Sequence, residues 1–292
     1  MKTRFIVNPR SGRALRALSG VRTFAARHDA RVDLTERSRH ACELASAALA
    51  DGCELVVAVG GDGTMNEVAS ALIGRRATLG LIPCGSGDGL GRHLGIHGSV
   101  PHALRVLEHG VPRAIDIGYA DGHPFFTAAG IGFEADIAAR FNRLQRRGFF
   151  RYLTTSARAF RESQPQRYVI VHEQGREEVH AFTLAVSNSD QYGNNAIIAP
   201  GARADDGLLD LCAIPPVHVF NAVPLLFRLF GGTLDRDPRV VLRRATRFVV
   251  ERTAAGPLHT DGEVHAAGPA IEFSILPAGL RIMAPRPATG PR

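Results

Sequence analysis

Hydrophobic positions follow two different patterns along the chain. In residues 1–115, short apolar runs alternate with longer stretches in which apolar residues recur every three or four positions. Residues 55–59 are wholly apolar and precede Gly60 and Gly61, as expected of a parallel strand buried on both faces. This alternation predicts a doubly wound α/β domain over residues 1–115. Its four expected strands are residues 4–7, 31–35, 55–59 and 78–83. Of its four expected helices, the first ends near residue 28, the second spans residues 40–49, the third begins near residue 65 and the fourth spans residues 101–109.

The pattern changes at about residue 116, where short β-like runs separated by turn residues take over. They predict an antiparallel β-sandwich over residues 116–284, whose last strand is a candidate to return to the first domain. The expected strands are residues 125–128, 168–172, 181–187, 208–214, 240–242, 247–251 and 270–276, and two helical patterns cover 141–162 and 217–230. Residues 285–292, rich in proline, glycine and alanine, are predicted to form a flexible tail.

The charged residues limit which partners and which phosphate-binding motifs the chain can have. The net charge is +7, which favours an anionic partner such as a nucleotide, a nucleic acid or a phospholipid surface. Lys2 is the only lysine. A P-loop and a protein-kinase site each need a lysine in a structured motif, so both are excluded. Phosphate chemistry must therefore use backbone amides, arginines, carboxylates and metal.

The cysteines and the short apolar runs indicate the cellular compartment of the protein. The four cysteines show neither a C-x-x-C pair nor a metal-ligand spacing, and we interpret them as reduced core residues. The apolar runs are shorter than a membrane span, and residues 5–7 are better interpreted as a strand than as part of a signal peptide. The protein is therefore expected in the cytoplasm.

The segment Val-Gly-Gly-Asp-Gly-Thr-Met-Asn-Glu at residues 59–67 follows a buried strand and opens a helix. Glycines let phosphate approach the backbone, and a helix N-terminus offers amides to an anion. Asp62 is expected to order Mg²⁺, because a carboxylate beside phosphate needs a cation. Thr64 and Glu67 fit a capping box, which we favour as the role of Glu67.

Two more loops repeat this arrangement. Residues 82–92 again run from strand through glycines to helix, and residues 8–12, Asn-Pro-Arg-Ser-Gly, follow the first strand. Because the carboxyl ends of parallel strands share one edge of a sheet, the three loops should face one crevice.

These motifs resemble those of diacylglycerol kinases, sphingosine kinases and their bacterial lipid-kinase relatives. The resemblance rests on G-G-D-G-T-x-N-E and on P-x-G-S-G-(D/N) about twenty residues later. It also rests on residues 130–135, 187–188, 192–193, 199–210 and 261–263, which keep the family order. It implies an α/β nucleotide domain and a β-sandwich, with ATP and a lipid headgroup meeting between them. By resemblance, the ATP site is formed by Asn8, Pro9, Arg10, Ser11, Gly12, Thr35, Gly60, Gly61, Asp62, Gly63, Thr64, Met65, Asn66, Gly85 and Ser86.

The resemblance also implies a base and a second metal site. Asp261-Gly262-Glu263 is similar to the catalytic element of the family, with Glu263 as the base that takes the proton of the lipid hydroxyl and Asp261 as rival or partner. By itself, the triplet is more often a surface turn. The segment 203–208 is similar to one that holds structural Mg²⁺ in bacterial relatives, with ligands from Arg203, Asp206 and Leu208; a type I turn is the equal alternative.

Some features depart from the family or stay open. Asp88 and Gly89 stand where relatives usually have Asn and Asp, which leaves the identity of the lipid open. Residues 140–152 mix arginines with aromatic residues, as helices at membrane surfaces do, and contact with anionic phospholipid at the inner face of the membrane is weighed equally against a solvated face. For residues 217–230 we favour ordinary packing. Whether the chain forms a homodimer is left open.

Two rival functions remain. NAD kinases and phosphofructokinases share the G-G-D-G loop, but the downstream NAD kinase segment is missing and Asp261-Gly262-Glu263 favours a lipid kinase. A non-catalytic anion-binding or nucleic-acid-binding module would explain the charge. It lacks a recognition-helix, RNP or zinc-finger pattern, so no nucleic acid partner is expected.

Overall fold

The computed structural model describes residues 1–142 and 164–286 of the chain. These fall into two compact units. The first comprises residues 1–116, 193–195 and the end of the chain from 277, and the second comprises residues 117–192 and 196–276. The predicted helix at 141–162, the basic and aromatic segment at 140–152 and most of the expected tail lie mainly or wholly outside the described residues.

The first unit is an α/β layer structure. Its strands are β1 (Thr3–Val7), β2 (Arg31–Leu34), β3 (Leu55–Gly60) and β4 (Thr78–Pro83), in the parallel order β2-β1-β3-β4. Its helices are α1 (Ala14–Arg27), α2 (His40–Ala50), α3 (Asp62–Leu72), α4 (Gly89–His93) and α5 (Val100–His109). The register pairs Phe5 with Val57 and Val57 with Gly80, so β1, β3 and β4 end level with one another.

Local sequence accounts for these elements. All six residues of β3 are buried, which explains its unbroken apolar run. The buried residues Ala14, Ala17, Val21 and Phe24 recur at helical spacing on α1. Ser99 starts α5 by accepting a hydrogen bond from the His102 amide. The predicted doubly wound domain is confirmed.

The second unit is a β-sandwich. One sheet has the antiparallel order β14-β13-β10-β7-β16-β17, and a second set pairs β15 with β8 and β8 with β9. The strands of this half of the chain are β5 (Val111–Ala120), β6 (His123–Phe125), β7 (Ala128–Gly132), β8 (Gln166–His172), β9 (Gly175–Ala181), β10 (Thr183–Ser187), β11 (Gln191–Gly193), β12 (Ala196–Ile197), β13 (Leu209–Ile214), β14 (Val241–Ala245), β15 (Arg247–Arg252), β16 (Gly256–Thr260), β17 (Glu263–Ala267) and β18 (Ala270–Ala284). The predicted sandwich is confirmed.

The sandwich core lies between these two sets of strands. Ile131, Leu184 and Leu211 from one sheet pack in the same cluster as Phe248 and Phe273 from the other. Two helices, α6 (Phe133–Asn142) and α7 (Val219–Phe230), and a 3-10 turn at Leu234–Arg236 complete the described elements of this half. In the described ranges, no helix has the length and apolar character needed to cross a bilayer.

Two strand predictions were wrong in their extent. The run expected at residues 125–128 is broken, because β6 ends at Phe125 and β7 begins at Ala128. The amides of Phe126 and Thr127 between them donate to the carboxylate of Asp261. The last strand, expected at 270–276, continues to Ala284; its first half pairs with β15 and its second half pairs with β4 of the first unit's sheet.

Candidate active site

Three loops meet at the carboxyl edge of the parallel sheet in the first unit. The loop after β1 is joined to the loop after β3, because the Ser11 hydroxyl accepts a hydrogen bond from the Gly61 amide at 2.7 Å. The same loop is joined to the one after β4, because the Arg13 amide donates to the Cys84 carbonyl at 2.9 Å. The structure therefore brings together the three glycine-rich segments that the sequence predicted to face one crevice.

Glycine is required where these loops touch. Gly12 has a φ of +45°, and a Cβ there would lie 2.1 Å from the Cys84 carbonyl oxygen. A Cβ on Gly85 would lie 2.9 Å from the Cα of Gly61. Since real Cβ atoms do not approach so closely, any side chain at either position would push the loops apart.

Asp62 links the second loop to the third. It is the first residue of α3, and its two carboxylate oxygens accept the Asp88 and Gly89 amides, each at 3.0 Å. The sequence placed Asp62 on a loop free of capping duty, and this was wrong, because its carboxylate holds the N-terminus of α4. Each carboxylate oxygen has two lone pairs, so one on each oxygen remains for a cation.

Asp88 is a second carboxylate beside the first. It is buried, has a φ of +48° and accepts the Gly85 amide at 3.1 Å. Burial raises the pKa of Asp88 to about 6, and the negative charge of Asp62 adds to this effect. Asp62 and Asp88 line a small cleft with Gly60, Gly61 and Gly91. A divalent cation would relieve this repulsion, so the residues fit Mg²⁺.

The capping box predicted for Thr64 and Glu67 is not formed. The N-cap of α3 is Gly61, and Thr64 is already inside the helix, where its hydroxyl accepts a hydrogen bond from the Asn8 side chain at 3.0 Å. Glu67 instead accepts the amides of Arg39 and Ala41, each at 3.0 Å. It therefore caps α2, the neighbouring helix, rather than its own.

The remaining predicted nucleotide residues also lie near this edge. The Thr35 amide donates to the Val7 carbonyl at 2.9 Å, which places Thr35 just beyond the end of β2. Arg10 and Ser86 are exposed, whereas the side chain of Met65 is buried in the core. Residues 193–195, which sequence reasoning did not include, belong to this unit, and the Asn194 amide donates to the Gly87 carbonyl at 3.2 Å.

The Asp-Gly-Glu element is a hairpin tip in the second unit. Thr260 at the end of β16 pairs with Glu263 at the start of β17, and Asp261 and Gly262 between them have φ values of +48° and +85°. Two central residues with positive φ are typical of a type I′ turn. The prediction of a tight turn was therefore correct for Asp261 and Gly262.

Asp261 and Glu263 have opposite environments. The carboxylate of Asp261 accepts the amides of Phe126, Thr127 and Ala128 at 2.7–3.1 Å, and also the Thr127 hydroxyl. Burial raises the pKa of Asp261, and these donors oppose that effect. Glu263 is exposed, and within the described residues no side-chain hydrogen bond engages its carboxylate. Asp261 thus fixes the hairpin, while Glu263 is available to a reacting group.

A buried polar chain supports the hairpin from behind. His259 Nε2 lies 2.6 Å from the hydroxyl of Tyr192, which donates to Glu134 on α6. His259 Nδ1 accepts the Gly262 amide at 3.4 Å. These contacts link the hairpin to Tyr192 and to α6. Sequence reasoning gave His259 no role; its position two residues before Asp261 was the available signal.

The segment predicted to hold structural Mg²⁺ carries an ion pair. The carboxylate of Asp206 pairs with Arg244, which also contacts Asp210 at 3.0 Å. Arg203 pairs with Asp205, and the Leu208 amide donates to Asp206 at 3.2 Å. Among the described residues, no group of three or more His, Cys, Asp or Glu side chains is arranged to hold a metal. The guanidinium of Arg244 thus neutralises the carboxylate of Asp206, and the Mg²⁺ site at Asp206 and the carbonyls of Arg203 and Leu208 stays a prediction.

Comparison with known proteins agrees with the two-part architecture. The diacylglycerol kinase catalytic domain matches residues 2–120, and the YegS C-terminal NAD kinase beta sandwich-like domain matches residues 127–284. A protein from Pseudomonas aeruginosa named probable lipid kinase YegS-like is 31% identical over 258 residues, which are 87% of this chain and 84% of that protein. A diacylglycerol kinase from Mycobacterium tuberculosis is 28% identical over 98% of this chain and 96% of its own.

Solved structures share the fold. A diacylglycerol kinase from Bacillus anthracis superposes with a TM-score of 0.77 at 19% identity, covering 99% of this chain and 98% of its own. An NAD kinase from Archaeoglobus fulgidus in complex with ATP has a TM-score of 0.58 at 12% identity, covering 97% of this chain and 93% of its own. At these identities the likeness concerns the fold alone.

Proposed function

The chain belongs to the family of diacylglycerol kinases and YegS-like lipid kinases, and we propose that it transfers the γ-phosphoryl group of ATP to a hydroxyl group of a diacylglycerol-like or other membrane lipid. The observation that carries the proposal is the junction of three glycine-rich loops around Asp62 at the carboxyl edge of the parallel sheet. Open α/β sheets bind their ligands at this edge.

The nucleotide is held without a lysine. The first-turn amides of α3, at Asp62 to Thr64, have no partner within the helix and suit a phosphate group. Asn8, Ser11 and Thr64 join the first loop to the second by hydrogen bonds, so the protein's own contacts hold the proposed phosphate cradle together. Asp62 and Asp88 would hold Mg²⁺, which, when bound, neutralises the charge of the phosphates.

Glu263 is the proposed general base. A lipid hydroxyl attacks phosphorus efficiently only if a base accepts its proton. Asp261, the rival, already accepts four hydrogen bonds, so we assign it the positioning of the hairpin. Glu263 is the first residue of β17, and its pairing with Thr260 fixes its backbone. Its side chain is exposed.

The reaction then balances as follows. The lipid oxygen forms a bond to the γ-phosphorus, while the bond from that phosphorus to the β–γ bridging oxygen breaks. ADP leaves with the electron pair of the broken bond. The hydroxyl proton passes to Glu263 and from there to solvent.

The lipid acceptor implies a peripheral membrane enzyme. Its substrate would remain in the bilayer, so the protein would work from the cytoplasm on the inner face of the membrane. The excess of basic residues, with a net charge of +7, favours association with anionic phospholipid.

The test compares Glu263→Gln with Asp261→Asn. Phosphoryl transfer to lipid in vesicles should slow by about 10²- to 10⁴-fold in Glu263→Gln, the usual contribution of a positioned base. Because Glu263 is exposed, the Glu263→Gln protein should have the same thermal unfolding midpoint as the wild type. Asp261→Asn should lower the unfolding midpoint, because an amide cannot accept all four hydrogen bonds.

Each other outcome redirects the assignment. If Glu263→Gln keeps its rate and Asp261→Asn is slow but fully stable, Asp261 is the base. If both keep the wild-type rate, the hairpin takes no part in the chemistry. If the protein consumes ATP with NAD but not with lipid vesicles, it is a soluble kinase and the proposed lipid kinase function is wrong.

A further inference from the structure

Helix α7 presents an apolar face to solvent. Its exposed large side chains are Val223, Leu226, Phe227 and Phe230, of which Phe227 is 76% exposed and the others are 52–55% exposed. The spacing of three, four and seven residues places all four on one side of an α-helix. Large apolar residues this exposed and this close together mark a surface that binds something.

The opposite side of the helix is firmly packed. Leu225 is 6% exposed and belongs to a core cluster with Cys212, Ile214 and Leu234, and Leu229 packs against the same cluster. The helix is thus anchored to the sandwich by one face. The exposed stripe is therefore a stable feature of the surface rather than the side of a loosely held segment. The ordinary packing that the sequence favoured for residues 217–230 describes only half of this helix.

The charge of the chain in and after α7 is close to balanced. The sequence of α7 contains Arg228 and no acidic residue, and Arg236 and Arg239 follow shortly after it. Asp237 is buried and paired with Arg239 at 2.8 Å and Arg228 at 3.8 Å, and Asp235 is exposed. Residues 219–239 thus carry three arginines and two aspartates, and this small positive excess is compatible with anionic lipid.

The size of the stripe decides between a membrane and a second copy of the chain. Its four side chains expose roughly 400 Å² of apolar surface, taking the usual areas of such residues. A stable dimer buries about 800 Å² on each partner, so the stripe is too small for one. An apolar stripe that includes two phenylalanines, on a helix without acidic residues, is instead typical of helices that lie in a lipid interface.

We propose that the exposed face of α7 docks the protein on the lipid surface that carries its substrate, with Leu226, Phe227 and Phe230 entering the acyl boundary. The proposal rests on the proposed lipid kinase function and deepens it. It locates the membrane contact on α7, whereas the sequence suggested residues 140–152.

The experiment measures binding to vesicles of phosphatidylcholine and phosphatidylglycerol by co-flotation of the full chain. Leu226→Ser/Phe227→Ser should weaken binding on the order of tenfold or more, because the variant lacks the two apolar side chains whose transfer from water into the lipid surface stabilises the bound state. Leu15→Ser is the matched control, since Leu15 is 63% exposed on α1 of the first unit, and it should bind like the wild type. The same double substitution should leave the rate on a short-chain, water-soluble diacylglycerol unchanged.

Binding and catalysis separate the two proposals. If the wild type phosphorylates vesicle lipid and the double variant floats as well as the wild type, the docking face is refuted and the function stands. If the double variant loses binding but the wild type phosphorylates no lipid, the function fails and the docking face stands.

A polarity-sensitive fluorophore attached to the cysteine of Phe227→Cys detects other occupants of the face. The variant also carries Cys42→Ser, so that the half-buried thiol of Cys42 is not labelled. Emission should shift to the blue only when vesicles are added. A blue shift without vesicles that grows with protein concentration would show a second copy on the face, and one independent of concentration would show cover by the chain itself. Either result overturns the proposal.

Discussion

Replacing Asp88 with asparagine should stabilise the protein at neutral pH. Asp88 is a buried carboxylate whose pKa is raised to about 6 by burial and by the charge of Asp62. Asparagine keeps the acceptor for the Gly85 amide and tolerates the φ of +48° well. The substitution therefore removes a charge and little else.

The magnitude follows from the two pKa values. In the unfolded chain the carboxyl ionises at its ordinary 3.8, and in the folded protein it ionises at about 6. The folded state thus binds an extra proton between these values, and the free energy of unfolding falls as pH rises from 4 to 6. At pH 7 the full cost is present, at most about 3 kcal/mol. Asp88→Asn should show no gain below pH 4 and a gain approaching this value at pH 7.

The assay is urea unfolding of both proteins at several pH values from 4 to 7. The difference between the two unfolding free energies isolates Asp88, because Asp210, whose pKa burial also raises to about 6, is common to both. Asp29→Asn is the matched control, since Asp29 has the same φ of +48° but is exposed. A difference that does not change with pH, or a less stable Asp88→Asn at pH 7, would refute the reasoning.

Two further predictions follow from contacts that the sequence did not suggest. Glu67→Ala should lower the free energy of unfolding by about 1–2 kcal/mol, because α2 loses the acceptor for the Arg39 and Ala41 amides; urea unfolding measures this, and an unchanged value would mean that water caps α2 equally well. In Asp62→Asn/Asp88→Asn, which lacks the two carboxylates proposed to hold Mg²⁺ beside ATP, removal of divalent cations with EDTA should leave the unfolding midpoint unchanged, because Arg244 already neutralises Asp206; a midpoint that falls with EDTA and returns with Mg²⁺ would support the metal site at Arg203, Asp206 and Leu208.

The parallel sheet was the most predictable part of the fold. The apolar runs at residues 55–59 and 78–83 correspond to β3 and β4 almost residue for residue, because a strand buried on both faces must be apolar throughout. The meeting of three loops was predictable from the topology of a parallel sheet alone. The sequence thereby located the candidate nucleotide site before any side-chain contact was known.

Long-range hydrogen bonds were not predictable. Thr64 and Glu67 have the spacing of a local capping box, yet Glu67 caps a different helix, since α2 and α3 pack side by side. The two faces of α7 were hidden for a similar reason. A helix that is apolar nearly all round does not reveal which side the sandwich covers.

The hairpin β16–β17 shows how a weak strand signal and a strong turn signal should be combined. Gly256, Pro257 and His259 are poor markers of a strand, and neither strand was predicted. The Asp-Gly pair at residues 261–262 is the strongest short-range signal of a two-residue hairpin, and it was interpreted as a catalytic element or a surface turn without the two strands that it joins.

Both interpretations of Asp261 meet in the segment 126–128. The carboxylate of Asp261 accepts its amides, and Asn188 donates to the Phe126 carbonyl at 3.2 Å while its own amide donates to the Thr127 carbonyl at 2.8 Å. Two elements that the sequence listed only by family order, Ser187-Asn188 and Asp261-Gly262-Glu263, thus fix one short stretch of backbone between β6 and β7. In this element, Asp261 is engaged by backbone amides, whereas Glu263 is exposed, as its proposed role as the base requires.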